Sequence, residues 1–181
     1  MSGRWRGLCS RGVSSRQRRR KRSAAGGGGR RRGAATGAPV LDAFAGAGNF
    51  AWALAEAGHA VLAVEGDGRA LQGLKHRADD AGLALRTQPL DLFSELPLKL
   101  GQYDTVVLDP PRAGADHLCR GLAALRKGRR PKRIVYVSCA PATLARDAAT
   151  LQGAGYALQS AAVFDMFPQT HHVECLAVFD A

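Results

Sequence analysis

The chain has 181 residues, 46% of them hydrophobic and 23% charged, with a formal net charge of +11 and a pI near 10.4. That length suits one domain, or one domain with a tail. No apolar run reaches membrane length and no secretory leader is evident. The four scattered cysteines, Cys9, Cys119, Cys139 and Cys175, lack metal-ligand spacing, so a reducing, cytoplasmic setting with no membrane and no structural metal is expected.

The charge is unevenly placed. Residues 1–38 hold eleven arginines, one lysine and no acid, which is +12, whereas residues 39–181 sum to −1. Residues 1–38, with Arg18 to Arg22 as RRRKR, Gly26 to Gly29, and Arg30 to Arg32, have too few large apolar side chains for a core and are expected to be a disordered basic tail. A solvated extension is one reading of it. Electrostatic attachment to RNA phosphates is a second. An organelle transit peptide ranks last, because the amphipathic apolar face is missing.

The folded domain is expected over residues 39–181. Pro39 to Phe50 reads as an apolar strand, a glycine-bearing turn and then a helix over about Phe50 to Ala57. Gly46 and Gly48 let the backbone turn tightly and approach a ligand, and the helix N-terminus behind them carries partial positive charge. A glycine turn also occurs for packing reasons alone. His59 to Glu65 is a second strand ending in a carboxylate, placed to accept hydrogen bonds from ribose hydroxyls or to cap the next helix. A helix follows over Arg69 to Ala81, a short strand over Leu83 to Thr87, and a loop over Gln88 to Leu96 containing Asp91.

Tyr103 to Leu108 forms the fourth strand and delivers Asp109 into DPPRAG, where two prolines stiffen the loop and hold Asp109 and Arg112 at one sheet edge. Six of the eight residues Arg126 to Arg133 are basic. They read as a solvated helix end and loop, on the edge away from Cys139, and as a peripheral candidate for RNA backbone contact. Ile134 to Val137 is an unbroken apolar strand. Ser138 and Cys139 fall at its end, and Pro141 starts a helix with Leu144, Ala148 and Leu151 at helical spacing. Cys139 is thus displayed where ligands bind in open α/β sheets, although a free cysteine more often packs as a small hydrophobe.

Tyr156 to Asp165 and Val173 to Asp180 flank a short connection and should pair as an antiparallel hairpin. That topology puts Glu174, at the start of the last strand, on the rim of Asp109 and Cys139. His171 and His172, on the same loop, read as exposed rather than metal-ligating. The alternation as a whole predicts an α/β, doubly wound, Rossmann-like sheet, mostly parallel with an antiparallel C-terminal strand.

DAFAGAGNF, DPPRAG, SCAPATLARD and DMFPQTHHVE together resemble the signature segments of the S-adenosylmethionine-dependent RNA uracil-5-methyltransferases, over about Pro39 to Phe179. The resemblance implies a methyltransferase domain using S-adenosyl-L-methionine and acting on rRNA or tRNA. It implies a nucleophile at Cys139, a proton acceptor at Glu174, and cofactor contacts at Phe44, Gly46, Gly48, Asn49, Glu65, Asp91 and Asp109.

Such chemistry needs a thiolate, because carbon 5 of uracil becomes nucleophilic only after addition at carbon 6, and a base to take the carbon 5 proton afterwards. The target base must leave its stack to reach the pocket. Two features depart from the family. Ala140 stands where the family pattern has asparagine, and the arginine tail stands where the family has an oligonucleotide-binding domain, a central domain and a glutamine-bearing cofactor segment. A weakly active or inactive cofactor- or RNA-binding fragment is therefore a competing reading. An RNA cytosine-5-methyltransferase is another, but would be expected to carry a second cysteine where this chain has Arg112.

Overall fold

The computed structural model describes residues 35, 37–94, 96–165 and 173–181. The basic tail through residue 34 and the histidines at 171 and 172 lie outside the described residues. Among them the order is β1 (Gly37–Ala43), α1 (Asn49–Glu56), β2 (His59–Glu65), α2 (Gly68–Ala81), β3 (Leu85–Pro89), β4 (Thr105–Leu108), α3 (Asp116–Ala123), β5 (Arg133–Ser138), α4 (Pro141–Gly153), β6 (Ala157–Phe164) and β7 (Glu174–Asp180). Short 3-10 turns at Leu100–Gln102 and Lys127–Arg129 precede β4 and β5.

The strands form one sheet in the order β3-β2-β1-β4-β5-β7-β6. β1 to β5 pair in parallel, and β7 inserts antiparallel between β5 and β6. The order reverses beside β1, so a crevice opens at the carboxyl ends of β1 and β4, where open α/β sheets bind their ligands.

Each face has its own core. On one face, Leu41, Val106, Leu108, Ile134, Tyr136 and Phe179 pack with Leu118, Leu122 and Leu151 of α3 and α4. On the other, Val40, Val61, Ala63 and Val107 pack with Ala51, Ala55, Leu71, Leu74 and Ala78 of α1 and α2. Fully buried side chains such as Phe179 and Leu74 each stabilise the fold by about 2 kcal/mol through burial.

Local chemistry sets the boundaries. Asp67 caps α2 by accepting from Arg69 N at 2.9 Å. Gly82, at φ 68°, ends α2, and Leu83 N donates back to Ala78 O at 2.9 Å. Leu83 is therefore spent on the helix stop, and β3 begins at Leu85, two residues later than the periodicity predicts. At the far edge β6 is exposed at every position from Ala157 to Val163.

Candidate active site

The cofactor-type turn connects β1 to α1 and runs through left-handed backbone at Phe44 (φ 61°), Gly46 (φ 53°) and Gly48 (φ 85°). Glycine relieves the strain at two of these positions, and Phe44 carries it, as non-glycine residues in that region commonly do at functional sites. A Cβ on Gly46 would meet open space, whereas one on Gly48 would come within 2.4 Å of Leu74 Cδ2. Gly46 thus faces the crevice and Gly48 faces the core. Asn49 is the exposed first residue of α1.

Two carboxylates hold this turn. Glu65, the last residue of β2, accepts from Gly46 N through Oε2 and from Asp67 N through Oε1, both at 3.0 Å. Asp42 of β1 accepts from Ala51 N, in the first turn of α1, at 2.8 Å. The Asp42 side chain is fully buried, and its Oδ1 finds no partner among the described residues. Burial lifts its carboxyl from the ordinary 3.8 to about 7, with a smaller push from the charges of Asp109 and Glu65, against the Ala51 N–H. Arg77 of α2 adds a third hold, donating to Ala47 O at 3.0 Å and stacking over the Trp52 ring at 5.5 Å.

Asp91 lies just past β3, beside the end of β2, where Leu90 N donates to Glu65 O. Its carboxylate accepts from Phe93 N and Ser94 Oγ, both at 2.9 Å, and these bonds hold it below the usual range. It therefore orders its own turn, carrying Phe93 to a tilted ring contact with Phe44 at 5.4 Å.

The expected nucleophile, base and fourth-strand acid converge. Asp109 follows β4 and Cys139 follows β5, and these strands are parallel neighbours paired through Leu108 and Tyr136. Ser138 pairs with Cys175 across the antiparallel β5 and β7, so Cys139 continues toward Glu174, the first residue of β7. Partial burial raises the Asp109 carboxyl, and the nearby Glu174 charge raises it further, which ties these two acids to one rim. Cys139 is half-buried, whereas Cys119 and Cys175 are buried. The turn at Cys139 is held by Ser138 Oγ, which accepts from Ala140 N at 3.0 Å.

Ala140 occupies the N-cap position of α4 with no side-chain cap bond. The site at which the family pattern has asparagine is thus a helix cap. The basic run Arg126 to Arg133 is partly structural. Arg130 donates to the carbonyls of Leu125 and Ala154 and lies over the Tyr156 ring, while Lys132 pairs with Asp104 and Arg133 with Asp180. Arg126, Lys127 and Arg129 remain exposed at the end of the sheet away from Cys139.

Asp42 is the site residue that motif reasoning passed over. Its signal was available, since an acid inside the apolar run PVLDAF has to be either edge-exposed or buried for a purpose. No group of three or more His, Cys, Asp or Glu side chains able to hold a metal occurs among the described residues.

Comparison with known proteins decides the family. The sequence model of the tRNA (Uracil-5-)-methyltransferase family matches residues 82–180. The chain belongs to this family. It is 47% identical over 150 residues to a 23S rRNA (uracil(1939)-C(5))-methyltransferase of Bordetella pertussis, a match covering 78% of this chain and 32% of that protein. A solved Pyrococcus abyssi tRNA (uracil-54, C5)-methyltransferase in complex with S-adenosyl-L-homocysteine superposes with a TM-score of 0.68 at 32% identity, over 81% of this chain and 35% of that one. An S-adenosylmethionine-dependent methyltransferase of Mesorhizobium loti shares the fold, with a TM-score of 0.64 at 14% identity over 82% of this chain and 93% of that one. The chain spans about a third of the length of the curated relatives it matches.

Proposed function

We propose that this chain is a methyltransferase domain that moves a methyl group from S-adenosyl-L-methionine to carbon 5 of a uridine in rRNA or tRNA. The observation that carries the reading is the convergence of Cys139, Asp109 and Glu174 at one rim, beside the glycine turn. The names of the relatives favour the same reaction and an RNA partner, and the unpaired cysteines favour a cytoplasmic setting.

The crevice fits the cofactor. Its rim carries Glu65 and Asp109, with Asp42 buried beneath, a set suited to a ribose diol and to a ligand bearing sulfonium and ammonium charge. Glu65 already accepts two N–H bonds, and a carboxylate has about four acceptor sites, so two remain for ribose hydroxyls. The bound cofactor supplies an electrophilic methyl on a cationic sulfur.

The chain's residues do the rest. The Cys139 thiolate adds to carbon 6 of the unstacked uracil, forming a C–S bond and pushing the ring electrons into an enolate. Carbon 5 of that enolate would take the methyl group, and the sulfur that carried it would leave as the neutral thioether of S-adenosyl-L-homocysteine. Glu174 then removes the carbon 5 proton, the ring double bond re-forms, and the C–S bond breaks to return the thiolate. Asp109 and Glu174 repel one another when both are ionised, so a cation bound beside them is stabilised.

The reading is tested by incubating the full chain with cofactor and rRNA or tRNA and quantifying 5-methyluridine by nucleoside mass spectrometry. Wild type is expected to form it, and Cys139→Ala to fall to background. No product from wild type on either RNA would leave a cofactor- or RNA-binding fragment, and 5-methylcytidine in its place would assign a cytosine enzyme.

A further inference from the structure

The loop after β4 and the helix after Cys139 are joined by side chains of α4 that hold the loop's backbone, and the substrate chemistry above makes no use of them. Thr143, Arg146 and Asp147 lie at i, i+3 and i+4 on α4, which places them on one face of the helix. Thr143 Oγ1 lies 3.1 Å from Arg112 O and 3.0 Å from Ala140 O, so its one proton serves either the loop or the start of α4. Arg146 Nη2 donates to Ala113 O at 3.0 Å. Asp147 Oδ2 accepts from Ala115 N at 2.7 Å and from the Tyr136 hydroxyl at 2.6 Å, and Asp147 Oδ1 accepts from Arg146 Nε at 2.9 Å.

Residues 112 and 113 of DPPRAG and residue 115 just past it are therefore each gripped by α4. Gly114 sits between them at φ 79°, where a Cβ would come within 2.6 Å of Arg146 Nη2 and 2.7 Å of Asp147 Oδ2. No side chain other than hydrogen lets the loop come this close. Asp147 is fully buried yet lies 32 residues from the amide it holds. Burying a carboxylate to fix a loop is costly compared with apolar packing, and its return is a defined geometry.

We infer that Thr143, Arg146, Asp147 and Tyr136 are positioning residues for the methyl-transfer site: together they clamp the Asp109 loop to the helix that begins two residues after Cys139. The clamp fixes the nucleophile relative to Asp109, and through β5 and β7 relative to Glu174. It acts on the nucleophile rim, Asp109 included, and leaves unaffected the glycine turn, Glu65 and Asp91, which carry six of the seven expected cofactor contacts. The inference rests on the proposed reaction for its catalytic consequence, but the clamp itself is tested without it.

The experiment uses the full chain and three variants, Thr143→Val, Arg146→Gln and the conservative Thr143→Ser. Iodoacetamide alkylation is followed at each cysteine by peptide mass spectrometry, S-adenosylhomocysteine binding by calorimetry, and steady-state kinetics with RNA. Thr143→Val and Arg146→Gln are expected to speed Cys139 alkylation at least threefold, while Cys119 and Cys175 stay protected and cofactor-product affinity stays within twofold. The kcat is expected to fall at least tenfold with RNA KM within threefold, and Thr143→Ser to restore both readouts. Equal exposure of Cys119, Cys139 and Cys175 would reduce the clamp to fold support and overturn the inference. An unchanged Cys139 rate, or a parallel loss of S-adenosylhomocysteine affinity, would overturn it as well. If wild type makes no 5-methyluridine, the reaction is refuted, whereas the alkylation result still decides the clamp.

Discussion

The two halves of the crevice are held by different physics. On the β1 and β2 side, carboxylates accept from backbone N–H groups of a glycine turn, through Glu65 to Gly46 and Asp42 to Ala51. On the β4 and β5 side, side chains of α4 grip the backbone of a proline-stiffened loop, and one buried acid, Asp147, collects three donors. The first arrangement leaves acceptor capacity facing the crevice, as a cofactor with hydroxyls and positive charge requires. The second is stiff, as the proposed nucleophile would require to meet carbon 6 at bonding distance.

Perturbing each half separately sharpens this contrast. The largest effect is expected from Gly114→Ala, which combines left-handed strain with collision against Arg146 and Asp147 and should cost about 2–5 kcal/mol, read as a lowered denaturation midpoint. Gly48→Ala is its counterpart on the cofactor side. The collision there is with one apolar side chain, Leu74, so a loss of about 1–3 kcal/mol is expected, with weakened S-adenosylhomocysteine binding and an unchanged Cys139 alkylation rate. If both variants weaken cofactor-product binding equally, the two halves are not independent.

The pH dependence probes the cofactor side next. Asp42 keeps its proton in the fold up to about 7, whereas the unfolded chain releases it near 3.8. Between these values unfolding releases a proton, so stability falls as pH rises from about 4 to about 7 and is level on either side as far as this group is concerned. The window corresponds to at most about 4 kcal/mol. The raised Asp109 carboxyl adds a smaller fall of the same sign, while Asp91 and Asp180, held low, act below the window with the opposite sign. Asp42→Asn keeps the acceptor for Ala51 N and should flatten the slope, as measured by urea unfolding at pH 4.5 and 7.5. An unaltered slope would assign the window to other groups.

The smallest expected change is a gain. Ala140→Asn supplies the missing N-cap of α4 and should stabilise the protein by about 1 kcal/mol, a rise of about 2–6 °C in Tm. A fall in Tm would mean that the Cys139 turn has no room for the amide.

Much of this frame is legible in the sequence. The sequence predicts β2 at its observed limits, His59–Glu65, where Gly58 and Gly66 bracket an apolar run. The β6 and β7 hairpin followed from a connection too short for a crossover, and it carried Glu174 to the Cys139 rim. The sequence misses the start of β3, because Gly82 spends Leu83 on stopping a helix, which apolar spacing does not reveal. The clamp was not legible at all. Asp147 is 32 residues from Ala115 and 11 from Tyr136, and no local pattern announces that a helix face will grip a loop. The basic run is legible in part: Arg126, Lys127 and Arg129 are exposed as the sequence predicts, whereas charge alone does not tell that Arg130 is a pin between helix ends.

The central claim is that Cys139 is a nucleophile set against uracil carbon 6, with Glu174 as the base that ends the reaction. Replacing the hydrogen at carbon 5 by fluorine removes the proton that Glu174 would take, so the covalent intermediate should accumulate. The most direct measurement is denaturing electrophoresis of the protein with cofactor and 5-fluorouridine-containing RNA. A protein–RNA adduct that survives denaturation, maps to Cys139 by mass spectrometry and vanishes in Cys139→Ala is the predicted result. No adduct with wild type, or one undiminished in Cys139→Ala, would contradict the account.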